Sequence, residues 1–528
     1  MRRLLLPCLL LLAVAFGAGL IAPVWADPTA LAARTRFTDG HLLGIALWAE
    51  PMRHGVLPSL HTDVVAWPLG ADLRPLLWPS TLLGALLGAP LALALTFTLV
   101  PAFNLVSGWI LGAVLGRDLP GRALLGAALA FHPWVVETLV NGQVEQAVLG
   151  GAALQLAAAM WAAQASAPRA AILLPGVVTA LVGWAAPHVA LAGCLVVGAW
   201  ALVELVRGRD RARWQIVLAV VAVGAFAVQM YHAPSFSAGV HVFAPKGSAG
   251  RPTGLVDLPE VTSLRGLLLP PPPAPNLPVL HPNFLGFVLL GAATWGAVRE
   301  RAARPAVGIA LVLVVLSLGS AIVVGGVTIP LPWAAIAAIA PTVAQSMSAY
   351  RLVMGAVLAL AVAASAVAWR PRWPIVVIGL ALVEAVSTSS RPLPLRAQAA
   401  PVDPSRAALA VGTGPVLDLP MAGPSCPTGA AHYLIEAAAT GRPVPLELAD
   451  PRAGYARVPR LQGETMRLWA KPDCAAGLTQ RLEDWPFGSV VLHRHDRDCP
   501  PPPGMAACLT AALGAGTTAG SVTWWDVP

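Results

Sequence analysis

Apolar runs of membrane-spanning length are the feature that most limits how this chain can fold. A helix that crosses the ~30 Å hydrocarbon core of a bilayer needs ~20 mostly apolar residues. Such runs recur up to about residue 388, and Pro187 in the middle of the run at 171–206 favours two helices there. The predicted spans are 4–22, 89–116, 123–140, 146–163, two within 171–206, 214–230, 283–298, 305–324, 352–369 and 373–388.

The sequence therefore predicts an α-helical polytopic membrane protein with about eleven transmembrane helices. Its composition agrees, because 57% of the residues are hydrophobic and only 11% are charged, against ~25% charged in soluble domains. The composition becomes polar near residue 389, which predicts a membrane domain at 1–388 and a C-terminal domain at 389–528. Strand-like stretches at 414–419 and 489–493, with a helical stretch at 430–440, predict a small α/β fold for the C-terminal domain.

The positions of the basic residues predict the orientation of the chain. The net charge of +8 belongs to the membrane domain, since residues 389–528 hold 12 basic and 12 acidic residues. The basic residues do not cluster, so we expect no nucleic-acid partner. Fourteen arginines fall in the short turns on one side of the predicted membrane, whereas the larger loops 27–80, 231–282 and 325–350 carry seven Lys and Arg together. By the positive-inside rule, the N-terminus is cytoplasmic and the C-terminal domain lies outside.

Amino-acid usage suggests a GC-rich bacterial source, so the expected location is a bacterial inner membrane with a periplasmic C-terminal domain. Residues 1–26 also resemble a cleavable signal peptide, with a basic start and a small residue before Asp27. The apolar stretch is long for such a signal, which favours an uncleaved first span.

Four of the six cysteines lie in the C-terminal domain, which suits two disulfides in an oxidising compartment. Four cysteines permit three pairings. Cys499 and Cys508 flank a proline-rich turn and are the preferred pair, which leaves Cys426 with Cys474. No C-x-x-C motif occurs, so a zinc site is disfavoured.

The first large loop is dense in acids and histidines. Asp39, close to His41, and Asp63 could each lie at the bilayer boundary. A carboxylate in such a place can act as a general base toward a hydroxyl, or hold a divalent cation such as Mg²⁺ or Mn²⁺ beside a lipid phosphate. The alternative is a solvated loop in which the aspartates cap helices and form turns.

A second polar group follows the 123–140 span. Asn141, Gln143 and Glu145 lie in one short turn, on the same predicted side as the first loop. Polar residues at membrane depth are costly, and they indicate a substrate-binding site by default. Alternatively, Asn141 and Gly142 form a tight turn and the glutamate reaches water.

Two basic residues could grip an anion at the outer surface. Lys246 lies in the 231–282 loop, where a lone lysine is more often simply solvated. Arg351 lies at the outer end of its span, where it could hold an anionic headgroup or pair with Glu384.

Several catalytic motifs are missing from the sequence. It contains no P-loop, so ATP-driven transport is disfavoured, and neither the H-E-x-x-H nor the G-x-S-x-G motif of membrane hydrolases.

The order of the remaining motifs resembles that of the GT-C type membrane glycosyltransferases over nearly the whole chain. The resemblance rests on Thr38-Asp39-Gly40, Trp67-Pro68-Leu69-Gly70, Asn104, Pro133, the turn from Asn141 to Glu145, Pro330 to Trp333, Tyr350-Arg351, Val416 to Pro420, and Gly441-Arg442-Pro443. It implies transfer of a sugar from a polyprenyl-phosphate carrier to an envelope glycan, lipid or protein acceptor at the outer face. It also implies a first-loop aspartate as base or metal partner, for which Asp39 is the best match and Asp27 or Asp63 the alternatives.

A second hypothesis keeps the same architecture without catalysis. A lipid-linked glycan flippase, a transporter or an envelope assembly protein could use the acids as a polar path. Such a transporter should show internal repeats and charges at mid-membrane, and the sequence shows no clear repeat. The enzyme hypothesis is therefore preferred.

Overall fold

The chain folds mainly into α-helices. Its structure is a computed structural model that describes residues 4–27, 30–32, 36–53, 55–57, 61–62, 71–72, 78–208, 210–243, 264–271, 283–324, 327–339, 349–370, 372–399, 414–419, 442–444, 473–484, 487–494, 501–520 and 522–527. The chain divides into two compact units. The helical unit comprises residues 1–28, 94–236 and 244–397, and the second unit comprises residues 29–93, 237–243 and 398–528.

The described helices follow the predicted apolar runs. In chain order they are α1 (Leu5–Leu20), α2 (Ala22–Ala26), α3 (Arg36–Arg53), α4 (Trp78–Leu87), α5 (Ala89–Val114), α6 (Leu119–Ala130), α7 (Pro133–Val140), α8 (Gly150–Ala163), α9 (Leu174–Ala185), α10 (Pro187–Val206), α11 (Arg211–Phe243), α12 (Leu264–Leu268), α13 (Phe287–Arg299), α14 (Arg304–Ser317), α15 (Pro332–Ile339), α16 (Val353–Ala364), α17 (Trp373–Ser387), α18 (Cys474–Asp484) and α19 (Met505–Leu513).

Each predicted span contains a helix, and the break at Pro187 is confirmed because α9 ends and α10 begins there. In the described residues, five helical stretches have the length and apolar character needed to cross a bilayer, namely 89–114, 119–140, 144–163, 187–206 and 211–231. Shorter apolar helices accompany them. The total of eleven spans stays a prediction.

The predicted span at 305–324 is only partly helical. Helix α14 ends at Ser317, and Gly319 then takes a positive φ of 86°, a conformation that suits glycine and stops the helix. The β-branched residues that follow form strand β4 (Ala321–Val324), which pairs antiparallel with β5 (Val327–Pro330). Hydropathy alone does not separate such a strand from the end of an apolar helix.

Glycines allow close approach between helices of the helical unit. A Cβ atom added at Gly126 in α6 would lie 2.6 Å from the Leu105 carbonyl oxygen of α5. At Gly296 in α13, an added Cβ would overlap the Ala363 carbonyl oxygen of α16. Membrane helices pack in this way because lipid supplies no hydrophobic drive for their association, so close van der Waals contact must stabilise it.

The turns of the helical unit form two groups, and turns of the same group contact one another. In one group, Arg213 donates a hydrogen bond to Ala165 O at 3.2 Å, and an added Cβ at Gly121 would lie 2.8 Å from Ser365 O. In the other, His132 Nε2 lies 2.9 Å from Leu285 O, and Ser390 N donates to Glu137 at 2.9 Å. This grouping is expected when successive helices run in opposite directions, because their connecting turns then lie alternately at the two ends of the helices. Which group faces the cytoplasm stays a prediction.

The second unit contains α3 and α4, which pack together, and a four-stranded sheet. The sheet order is β7 (Val416–Leu419), β8 (Ser489–His493), β10 (Val522–Asp526) and β9 (Thr517–Ala519). Strands β7 and β8 are parallel, whereas β10 is antiparallel to both β8 and β9. The strands predicted at 414–419 and 489–493 are thus confirmed, while the helix predicted at 430–440 lies outside the described residues. Short strands also occur at β1 (Ala30–Ala32), β2 (His61–Thr62), β3 (Ala71–Asp72) and β6 (Ala397–Ala399).

The preferred disulfide pairing is wrong. Cys474 is bonded to Cys508, so neither Cys499–Cys508 nor Cys426–Cys474 can form at the same time. Packing of α18 against α19 brings the two Cα atoms to 5.9 Å, within the range that a disulfide needs. Cys426 and Cys499 lie outside the described residues.

The disulfide gives a direct prediction. Peptide mapping without reduction should recover Cys474 joined to Cys508, and recovery of a Cys499–Cys508 peptide would contradict the structure. The bond closes a 34-residue separation, so replacing both cysteines with serine should lower the stability of the second unit by about 3–4 kcal/mol.

Glycine packing gives a second prediction, with a matched control in the same helix. Gly296→Ala should lower the thermal stability of the protein in detergent, because overpacking costs about 1–3 kcal/mol. At Gly291, also in α13, an added Cβ meets nothing within 4 Å. Gly291→Ala should therefore leave the melting temperature unchanged or raise it slightly. Equal melting temperatures for the two variants would argue against the α13–α16 contact.

Candidate functional site

The candidate site is built around the turn between α7 and α8. Helix α7 ends at Asn141, Gly142 takes a φ of 77°, and one 3-10 turn follows over Val144–Gln146. The polar side chains of this turn face inward, since Asn141, Gln143, Glu145 and Gln146 are at most 6% exposed. The structure therefore contradicts the alternative in which the Glu145 side chain reaches water.

Buried polar contacts hold the turn in place. Asn104 of α5 donates to Ala147 O at 2.8 Å and accepts from Gly150 N at 2.7 Å. The indole nitrogen of Trp134 donates to Gln146 O at 3.2 Å. Both side chains satisfy backbone groups that would otherwise be unpaired between two helices.

Side chains of the turn connect to a distant segment through hydrogen bonds. Gln146 Nε2 lies 3.4 Å from Glu145 Oε1, and Tyr350 donates its hydroxyl proton to Gln146 Oε1 at 3.4 Å. The Tyr350 oxygen accepts from Arg351 Nε at 3.2 Å. The Arg351 guanidinium also lies 3.3 Å from His188 Nδ1. Because a guanidinium can only donate, Nδ1 accepts, and the neutral ring carries its proton on Nε2. We call these five residues the polar relay.

The relay joins two of the predicted binding residues, Glu145 and Arg351, across more than 200 positions of sequence. Arg351 is half-buried in a 3-10 turn, Ala349–Leu352, directly before α16. Tyr350 is buried, with its ring 6.3 Å from that of Trp134. The Glu145 carboxylate is therefore connected, through Gln146 and Tyr350, to the contact between the Arg351 guanidinium and the His188 imidazole.

Asn141 belongs to a neighbouring contact. Its amide donates to Glu137 Oε1 at 2.9 Å, and the Glu137 carboxylate also accepts from the backbone nitrogen and the hydroxyl of Ser390. Arg391 follows; burial lowers its pKa, and the charge of Glu137 acts in the opposite direction. This contact joins α7 to the segment that leaves α17.

Arg351 and Glu384 do not pair in the structure. Glu384 instead accepts hydrogen bonds from the backbone nitrogens of Phe287 and Val288, at the first turn of α13. A carboxylate is stabilised there because the first N–H groups of a helix lack intrahelical partners. The need to cap α13 explains why this alternative is wrong.

Gln143 differs from its neighbours. Its side-chain oxygen is buried and has no hydrogen-bond partner among the described atoms. A buried acceptor without a partner costs about 1–3 kcal/mol.

A cavity adjoins the relay at His188. It has a volume of about 80 Å³ and lies between α9, α10 and α11. Apolar side chains such as Leu191 and Val228 share its lining with Thr179, His188 and Cys194. It lies within membrane-spanning segments of the helical unit.

The first-loop candidates belong to other parts of the chain. Asp39 and His41 lie in α3 of the second unit, and the positions of their side chains are outside the description. Asp63 and Lys246 fall outside the described residues. Asp27 ends α2 in the helical unit and is exposed. The structure therefore leaves the roles of these five residues as predictions.

A divalent cation needs several carboxylate, imidazole or thiolate ligands close together. The described residues contain no group of three His, Cys, Asp or Glu placed to hold a metal ion. The polar relay suits an anion better, since its Arg351 and His188 offer N–H donors.

Sequence reasoning missed Gln146, His188 and Ser390 as partners of the predicted residues. Gln146 directly follows Glu145, and His188 follows the helix-breaking Pro187. Gln146 and His188 both lie on the same predicted side of the membrane as Arg351. This shared side was the signal from which their contact with the predicted residues could have been suspected. A signal of this kind identifies a common side of the membrane but not a contact.

The sequence matches no protein-family model and no curated protein. In structure, the chain is similar to the arabinofuranosyltransferase AftD from mycobacteria, with a TM-score of 0.58 and 16% identity over 100% of this chain and 40% of that one. It is also similar to the Archaeoglobus fulgidus oligosaccharyltransferase AglB in complex with an inhibitory peptide and a dolichol-phosphate, with a TM-score of 0.52 and 12% identity over 92% of this chain and 69% of that one.

Both similar structures are GT-C-type membrane glycosyltransferases, and the chain has a GT-C-like fold. It is a multi-pass membrane protein, as its apolar helices indicate. At these identities the likeness establishes the fold and leaves the chemistry to the site. The chain spans 40% of the length of the AftD chain that it matches.

The contacts of Asn104 give a prediction about the site. Asn104→Ala would leave Gly150 N and two buried carbonyl groups without their side-chain partner. Because each such loss costs about 1–3 kcal/mol, we expect a clear fall in melting temperature. Ser107→Ala, one turn along the same helix, should change it little, because among the described residues that hydroxyl bonds to Phe103 O within α5 itself. Similar effects of the two substitutions would contradict the anchoring role of Asn104.

Proposed function

We propose that the protein is a membrane glycosyltransferase that moves a sugar from a polyprenyl-phosphate-linked donor to a lipid, glycan or protein acceptor. In this proposal the reaction takes place at the outer face of a bacterial inner membrane, and residues 389–528 form a periplasmic domain. The carrying observation is the polar relay, a chain of hydrogen bonds that runs from His188 and Arg351 through Tyr350 and Gln146 to Glu145 in a GT-C-like helical unit.

The relay has the chemistry to receive the phosphate of a lipid carrier. The planar fork of Arg351 matches phosphate oxygens, and the imidazole of His188 adds an N–H donor. The cavity beside His188 could receive part of the carrier's hydrocarbon chain, since its walls include Leu191, Ala225 and Val228. A dolichol-phosphate is bound in the AglB complex, which supports a carrier of this chemical class.

The remaining predicted residues complete the proposal. A first-loop carboxylate, Asp39 or Asp63, takes the proton of the acceptor hydroxyl as general base. The acceptor oxygen then bonds to the anomeric carbon as the bond from that carbon to the phosphate oxygen breaks. The electron pair leaves with the phosphate, where a positive charge stabilises it. His41, Asn141, Gln143, Glu145 and Lys246 are proposed substrate contacts.

The proposal predicts that the purified protein transfers labelled sugar from at least one member of a panel of polyprenyl-phosphate donors. Arg351→Gln should lower the rate about 10- to 100-fold, the value of a hydrogen-bonded charge. Arg370→Gln, an exposed arginine in the other group of turns, should leave it unchanged. Asp39→Asn should lower kcat by about 10² or more if Asp39 is the base.

The alternatives are outcomes of the same experiment. Activity that survives Asp39→Asn would assign the base to Asp63 or Asp27. Binding of donors without transfer to any tested acceptor would favour the lipid-linked carrier, flippase or assembly function. Equal losses from Arg351→Gln and Arg370→Gln would reject the role of the relay.

A further inference from the structure

The side chain of Gln146 links two segments that are far apart in sequence. Its amide nitrogen faces Glu145 Oε1 and its amide oxygen faces the Tyr350 hydroxyl, each at 3.4 Å. A primary amide can do both because it carries donors on one atom and an acceptor on the other. The two neighbours also fix which way the amide points, since a carboxylate accepts and the phenol supplies a proton.

That orientation sets the direction of the next hydrogen bond. Tyr350 donates its proton to Gln146, and the phenol oxygen accepts from Arg351 Nε at 3.2 Å. The guanidinium carbon also lies 5.3 Å from the centre of the Tyr350 ring. His188 holds Nη1 of the same guanidinium. Arg351 is thus held from two directions.

The relay is attached to rigid parts of the helical unit. Trp134, at the start of α7, fixes the backbone of Gln146 through its indole nitrogen and lies beside the Tyr350 ring. Trp134, Gln146 and Tyr350 are each at most 2% exposed. Buried side chains of this kind keep one rotamer, so the position of the phenol oxygen is determined before any ligand binds.

We infer that Gln146 and Tyr350 are positioning residues that hold the Arg351 guanidinium in the orientation in which it meets the donor phosphate. The inference rests on the proposed function and identifies how its phosphate contact is prepared. A free arginine side chain has many rotamers, and ordering it on binding weakens affinity. Orienting it in advance removes that loss and strengthens donor binding more than it accelerates the chemical step.

The test is Tyr350→Phe, which removes only the oxygen that both hydrogen bonds share. We expect KM for the polyprenyl-phosphate donor, and Kd for sugar-free polyprenyl phosphate, to rise about 5- to 30-fold, the effect of one or two lost hydrogen bonds. The turnover number should change much less. Tyr231→Phe is the matched control, because Tyr231 lies in α11 against Trp184. It should leave both constants unchanged.

A second variant tests the same inference at a different side chain, so that the result does not depend on Tyr350 alone. Gln146→Leu removes the amide but leaves the Tyr350 hydroxyl to accept from Arg351, so its effect should be in the same direction and smaller. The double variant, with both Tyr350→Phe and Gln146→Leu, should bind the donor no more weakly than Tyr350→Phe alone, because both substitutions act on one chain of contacts. Melting temperatures close to that of the unaltered protein would show that the fold is preserved.

The outcomes separate this inference from the proposed function. Raised KM and Kd with little change in turnover, in both single variants, would support positioning. Unchanged constants in both variants, together with weak donor binding by Arg351→Gln, would overturn the inference and leave the proposed function standing. If the unaltered protein neither binds nor transfers any donor, the proposed function fails and the inference fails with it.

Discussion

The bilayer offers no water to polar groups, so each polar group inside the helical unit must be satisfied by the protein itself. This constraint favours buried polar side chains that bond to backbone groups or to one another, although the Gln143 side-chain oxygen has no such partner among the described atoms. Asn104 forms a hydrogen bond with the α7–α8 turn, His132 forms one with Leu285 O, and Glu384 accepts one at the start of α13. Each contact joins segments that are distant in sequence, so satisfying one polar group also fixes the position of one turn against another.

The helices and the turns are therefore stabilised by different forces. Along the helix lengths, glycine and alanine allow backbones to approach closely, as between α5 and α6 or α13 and α16. At the end that holds the candidate site, hydrogen bonds replace close packing. Glu137 binds Ser390, and Gln146 binds Tyr350. A site built in this way is rigid without being tightly filled, which leaves room for a cavity such as the one beside His188.

The sequence alone predicted the structural features that depend on the local pattern of residues. The apolar runs predicted the positions of the helices, Pro187 predicted the break between α9 and α10, and alternation predicted β7 and β8. The motif order also indicated the GT-C-like fold, which the structure confirms. Contacts between distant residues could not be predicted. The Cys474–Cys508 bond depends on the packing of α18 against α19, and the partner of Glu384 depends on where α13 begins.

The polar relay illustrates why a site of this kind escapes sequence analysis. Arg351 was expected either to meet an anion or to pair with Glu384. In the structure, Tyr350 and His188 instead hold it through neutral acceptors, a phenol oxygen and an imidazole nitrogen. A phenol oxygen and an imidazole nitrogen orient the guanidinium by accepting from it and add no negative charge of their own.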